Sequence, residues 1–156
     1  MQKVAPMLWF DTQAEEAANF YVSVFKNAKL GRIARYSEAG PGPAGSAMTV
    51  EFELDGQPFT GLNGGPYFKF TEAVSFVISC ADQAEVDHYW DRLLEGGKAS
   101  QCGWLKDKFG LSWQVVPTRL AELASDPDRA KAGRVMGAMM KMIKLDIAGL
   151  EAAAQG

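Results

Sequence analysis

Hydrophobic and polar positions along this chain fall into two similar runs. Val4 to Phe10 is a continuous apolar stretch, which predicts a strand with both faces covered. Asp11-Thr12 supplies a helix start, with Glu15 and Glu16 in the first turn. Ala14, Ala17, Ala18, Tyr21, Val22 and Phe25 then recur at helical spacing and make one apolar face. Gly31 to Tyr36 predicts a strand, and the Gly/Pro-dense segment Gly40 to Ser46 predicts a loop. From Met48 to Leu54 the alternation is clean: Met48, Val50, Phe52 and Leu54 take one face, and Thr49, Glu51 and Glu53 the other. Asp55-Gly56 is a hairpin turn, because both central residues of a type I′ turn need positive φ. Gln57 to Asn63 returns, and Gly64-Gly65-Pro66 closes the first half.

The order then repeats. Gln13-Ala14-Glu15 returns as Gln83-Ala84-Glu85, and the helical pair Phe20-Tyr21 is answered by Tyr89-Trp90. Ala73 to Cys80 predicts a strand and Ala81 to Gly96 a helix with Val86, Tyr89, Trp90, Leu93 and Leu94 on its apolar side. Lys98 to Gln101, Gly103 to Lys106 and Leu111 to Val116 predict short strands. The fold class expected is α+β: tandem βαβββ modules forming a curved mixed-sheet cleft, followed by C-terminal helices. The boundaries are 1–66 for the first module, 72–118 for the second and 119–156 for the tail, all in a single domain, 1–156. In the tail, Ser125-Asp126-Pro127-Asp128 predicts a helix start, and the helix is read on to about Lys144. Met136, Met139, Met140 and Met142 lie in it with Val135 and Ile143, a sector that packs either on the chain's own sheet or on a second subunit.

Composition narrows the function classes. The 156 residues carry a formal net charge of −3, which predicts no nucleic-acid surface. No apolar run approaches the ~20 residues of a membrane span, and Met1-Gln2-Lys3-Val4 opens no signal-peptide core, so a cytoplasmic protein is expected. The two cysteines, Cys80 and Cys102, suggest reduced thiols rather than a disulfide framework.

Several stretches carry a resemblance. Phe20-Tyr21, Leu54-Asp55-Gly56-Gln57 into Leu62-Asn63-Gly64-Gly65, Lys106 to Pro117, and Asp126-Pro127 into Met140 to Ile147 resemble the PhnB-like family. That family is labelled 3-demethylubiquinone-9 3-methyltransferase and belongs to the glyoxalase/bleomycin-resistance/extradiol-dioxygenase, or vicinal oxygen chelate, superfamily. The resemblance spans almost the whole chain and implies paired βαβββ modules, with a divalent metal held by the first and last strand of each module in the metal-dependent relatives. Methyl transfer is not expected from this pattern. The glycine-rich segment Gly40 to Gly45 sits between two strands, with no following helix whose N-terminus could receive a ligand.

The repeat places the four metal positions of the resemblance at Pro6, Gly61, Phe76 and Gln114. Only Gln114 has a ligating side chain, so neither a metal nor another cofactor is expected. The single histidine, His88, is read as an exposed helical residue. Strand periodicity assigns the cleft lining to Leu8, Glu51, Glu53, Phe59, Asn63, Phe76, Ser112 and Gln114, with Ile78 on the same side. Such a lining suits a small organic ligand. A half-buried Glu51 with a raised pKa is the candidate catalytic base, against the alternative of a solvated acid at an open edge. Phe68, Phe70, Trp104 and Phe109 are either rim aromatics or core, and Cys102 lacks a nearby base to activate it. The expected partners are a small-molecule ligand and a second copy in a homodimer, and no nucleic acid or membrane. Either a ligand-sequestering protein or a lyase/isomerase using Glu51 or a non-standard metal site fits this reading.

Overall fold

The computed structural model describes residues 2–156, arranged as two compact units, 1–70 and 71–156. Where the sequence suggests one domain, the chain thus divides after Phe70, and the tail is compacted with the second module rather than standing alone. Among the described residues no helix is long and apolar enough to cross a membrane.

The first unit runs β1 (Met7–Phe10), α1 (Ala14–Val24), β2 (Ala28–Arg35), β3 (Ala47–Leu54) and β4 (Gln57–Asn63). Its sheet has the order β1-β4-β3-β2, with β1 parallel to β4 and the other pairs antiparallel. The Asp55-Gly56 turn forms as the sequence requires, with φ of 49° and 80°, and sets Leu54 opposite Gln57. The first strand is shorter than its apolar run. Val4 is 84% exposed, while β1 itself alternates, with Leu8 and Phe10 buried and Met7 open. The reason is that a helix covers only one side of this sheet, and alternation rather than a continuous buried run is its signature.

Helix α1 begins later than Asp11-Thr12 suggests, and Gln13 at its N-cap makes no side-chain capping bond. The cap comes from 49 residues away: the Ala14 N–H donates to Asn63 Oδ1 at 2.8 Å. The Asn63 amide donates in turn to the Ala47 carbonyl at 3.0 Å, and the Tyr36 hydroxyl donates to the Asn63 carbonyl. Ala14, Ala17, Ala18 and Tyr21 are fully buried on the sheet. Gly61 permits that closeness. A Cβ built there would stand 3.1 Å from the Ala14 Cβ. Beyond it the Tyr21 ring packs 5.9 Å from Phe52, which stacks 5.3 Å from Phe59.

The second unit runs β5 (Ser75–Cys80), α2 (Gln83–Leu94), β6 (Lys98–Ala99), β7 (Trp104–Lys106) and β8 (Ser112–Pro117), with order β5-β8-β7-β6 and β5 parallel to β8. Helix α2 is capped locally: Asp82 accepts from the Glu85 N–H, and Glu85 reaches back to accept from the Ala81 N–H. Its buried face is Val86, Tyr89, Trp90 and Leu93. Between β7 and β8, Asp107 is 3% exposed and accepts from the Phe109 and Leu111 N–H groups and the Trp113 indole, at 2.8, 3.1 and 2.9 Å. A carboxylate withdrawn from water is tolerated because three donors satisfy it.

The tail is three helices, not one: α3 (Thr118–Ala124), α4 (Arg129–Met139) and α5 (Ile147–Gln155). Asp128 caps α4, accepting from the Ala130 and Lys131 N–H groups, and Asp146 caps α5. The helix expected to reach Lys144 stops at Met139 because the following carbonyls are taken elsewhere. Met142 O accepts from Cys102 N–H and Ile143 O from Gly103 N–H. Gln83 fixes the next segment, donating to Leu145 O and accepting from Ile147 N–H, and Lys144 pairs with Asp87 at 2.8 Å. The methionines divide accordingly. Met139 and Met142 pack on the cluster Leu123, Val135, Leu150 and Ala154, whereas Met136, Met140 and Ile143 are exposed.

Candidate functional site

Each module covers one sheet face with a helix and leaves the other free of one, and the strand register decides which residues stand where. In the first module Val50 lies opposite Gly61 and Phe52 opposite Phe59, all on the α1 side. Glu51 lies opposite Thr60 and Glu53 opposite Pro58, on the helix-free side. In the second module Phe76 lies opposite Trp113, and Val77 opposite Gln114.

The eight residues expected to line one cleft therefore separate into two sets. Leu8, Phe59, Asn63 and Phe76 belong to the helix-covered faces: Leu8 and Phe59 are buried, Asn63 caps α1, and the Phe76 ring lies 5.7 Å from Trp113. Ile78 is buried with them, opposite Val115. Glu51, Glu53, Ser112 and Gln114 belong to the helix-free faces. The error is one residue of parity, which moves a whole strand's side chains across the sheet.

The expected metal positions shift with it. The helix-free positions on neighbouring strands read Met7 and Thr60 in the first module, Val77 and Gln114 in the second. No histidine, aspartate or glutamate occupies any helix-free position of β1, β4, β5 or β8. A thioether, a hydroxyl, an isopropyl group and one amide do not make a donor set for a divalent cation. Among the described residues no cluster of three His, Cys, Asp or Glu side chains stands ready to hold an ion. His88 is half-buried in α2 with its ring 5.0 Å from Tyr89, not exposed.

On the helix-free face of the first module, Lys29, Gly31, Glu51, Glu53, Pro58 and Thr60 line an open groove of about 310 Å³. Gly31 lets β2 bulge close over Glu51, since a Cβ there would stand 3.1 Å from the Glu51 Cβ. Lys29 pairs with Glu53 at 3.5 Å. Glu51 is exposed rather than half-buried, so the burial its role as a base requires is missing. Sequence reading missed Lys29, Pro58 and Thr60, although the two-residue turn at Asp55-Gly56 already fixes Glu51 opposite Thr60.

The helix-free face of the second module is built differently. Gln114 donates to the Ser75 hydroxyl at 3.0 Å, and Lys106 pairs with Glu72 at 2.8 Å, which holds the Glu72 carboxyl below the usual carboxylate range. Trp104, half-buried, lies opposite Gln114. Neither cysteine serves this face: burial pushes the Cys80 thiol up to about 12, and Cys102 sits in the β6–β7 turn at φ 59°. A larger hollow of about 450 Å³ lies near the starts of α2, α3 and α5, but its Arg119 is already paired with Glu122 and Glu151.

The comparisons agree with this architecture. The family model described as 3-demethylubiquinone-9 3-methyltransferase matches residues 2–116. A PhnB protein from Bacillus cereus that carries the same methyltransferase description superposes with a TM-score of 0.69 at 35% identity, over 74% of this chain and 99% of that one. A protein from Pseudomonas aeruginosa shares the fold at TM-score 0.63 and 20% identity, over 75% of this chain and 98% of that one. A genomically encoded fosfomycin resistance protein from Listeria monocytogenes, solved with Mn(II) and sulfate, does so at 0.50 and 13%, over 75% and 91%. No curated protein matches the chain. The family match is shorter than the resemblance suggested, ending at 116, before the tail helices. Paired βαβββ modules and the match over residues 2–116 together show that this chain belongs to the 3-demethylubiquinone-9 3-methyltransferase (PhnB-like) family.

Proposed function

We propose that this protein binds a small organic molecule against its helix-free sheet faces, without the divalent metal used by metal-dependent members of the superfamily. The observation that carries this is the register. It leaves each module one face with no covering helix, and stocks the metal positions with Met7, Thr60, Val77 and Gln114. Methyl transfer has no support in the loop that would have to serve it. Gly40 to Gly45 joins β2 to β3, closes on itself through Tyr36–Ser46 and Gly45–Tyr36 backbone bonds, and lies under the Tyr36 ring. A dimer is part of the same proposal, through the exposed apolar patch Met136, Met140 and Ile143.

Thermal-shift screening followed by calorimetry against a metabolite library tests the reading. A ligand whose binding is weakened by Thr60→Arg or Gln114→Ala supports it, and no ligand at any concentration overturns it. Elemental analysis of protein purified without chelators tests the metal: stoichiometric Mn, Ni, Zn or Fe contradicts the donor-set reading.

A further inference from the structure

The helix-free face of the second module carries one unexplained polar atom. Ser112 is fully buried, and its hydroxyl is the one side-chain oxygen or nitrogen among the described residues that is buried without a hydrogen-bond partner. Such a group is costly unless something not in the chain satisfies it, and each one calls for an explanation. Its surroundings point to what that is. Across the sheet the register aligns Lys98, Lys106, Ser112 and Ser75 in one row, and Trp104 with Gln114 in the next. Two lysines directly opposite each other repel. Glu72 answers only one of them, its carboxylate 2.8 Å from the Lys106 ammonium.

We propose that this row is an oxyanion subsite: a carboxylate or phosphonate of a small organic acid replaces Glu72 on Lys106 and accepts the Ser112 hydroxyl proton in a hydrogen bond, with the apolar body of the acid against Trp104. The inference rests on the small-molecule reading above and names its ligand class. Glu72 acts as a built-in placeholder, satisfying the lysine until a ligand arrives. An organic acid gains a charge-assisted bond from each of the two groups, and the aromatic platform gives its apolar part a surface to cover.

Calorimetric titration of the full chain with benzoate and phenylphosphonate, against benzyl alcohol as the neutral control, tests it. At least one anion is expected to bind more tightly than the alcohol. Ser112→Ala, which removes an orphan hydroxyl and leaves melting temperature unchanged or raised, is expected to weaken that binding about tenfold. Lys106→Gln weakens it at least as much. Glu72→Gln moves it the other way, tightening binding severalfold by removing the competitor, an effect a merely structural Glu72 does not produce. Anions that bind no better than benzyl alcohol, or affinities indifferent to all three substitutions, overturn the subsite. A neutral library compound that binds while both anions fail sinks the ligand class and leaves the small-molecule reading standing; no binding by any compound sinks both.

Discussion

The two modules share a backbone plan and differ in almost everything attached to it. On the helix side, the first module joins small to small: Gly61 under Ala14, with Ala17 and Ala18 beside it. At the matching register position the second has Val115, opposite Ile78 as Gly61 is opposite Leu8, under a helix whose buried residues are Val86, Tyr89, Trp90 and Leu93. On the helix-free side, the first shows Glu51, Glu53 and a single lysine, Lys29, and the second shows Lys98, Lys106, Ser112 and Gln114. Locking differs too, by a distant asparagine in one and a buried aspartate in the other. Duplication of a fold therefore constrains strand order and pairing. Helix spacing and face chemistry are set by side chains and are free to diverge.

Four substitutions press on that contrast. Asp107→Ala removes the acceptor for two backbone N–H groups and the Trp113 indole. It is expected to cost about 3–5 kcal/mol in denaturant unfolding. In the first module the corresponding turn carries an exposed aspartate, Asp55, instead. A loss under about 1 kcal/mol would show that the second module does not depend on this lock. Gly61→Val writes the second module's residue into the first. With its Cβ 3.1 Å from Ala14, it is expected to destabilise by about 1–3 kcal/mol, and a neutral result would mean α1 can lift to the spacing its counterpart uses. Asn63→Ala uncaps α1 and is expected to cost about 1–2 kcal/mol. Asn63→Asp, which keeps the acceptor for Ala14 but loses the donor to Ala47, recovers part of that in the same melting experiment.

The smallest effect belongs to the tail. Lys144→Ala breaks a partly exposed pair with Asp87, and solvent screening holds its cost under about 1 kcal/mol. Asp87 has a lowered pKa, first from its hydrogen bond with Lys144 and next from that with Gln83. A carboxyl depressed by folding stabilises above its ordinary pKa of about 4 and loses that contribution as pH falls through the folded value. The melting-temperature gap between wild type and variant is therefore expected at neutral pH and to close below about pH 4. A gap unchanged at pH 3 excludes the ion pair as its source.

Local chemistry was legible in the sequence where it acts locally. Asp55-Gly56, the Gly40–Ser46 loop and the exact span of β4 follow from turn residues and alternation. Three things were not. The α1 cap comes from Asn63, brought back by the sheet and not by the chain. The tail helix ends where Cys102, Gly103 and Gln83 claim the backbone of residues 142–147, and helical spacing carries no trace of such bonds. The faces of β3 and β8 were legible, but those of β1, β4 and β5 were misread, because the first-strand position was counted from the helix, across a loop. Counted from the two-residue turn, Glu51 falls opposite Thr60 and Gly61 falls under the helix.

Cys80, sealed between β5 and its neighbours with a thiol pushed up to about 12, gives the molecule its own clock. In a Cys102→Ser background no other sulfhydryl remains, so an alkylating reagent is consumed only while the second unit is open. At low reagent the labelling rate reports how often that unit opens relative to how fast it recloses, and at high reagent it reports opening itself. The rate at which a single sulfur disappears thus times the motions of the second unit's sheet, and any compound that steadies that sheet slows the clock in proportion to its affinity.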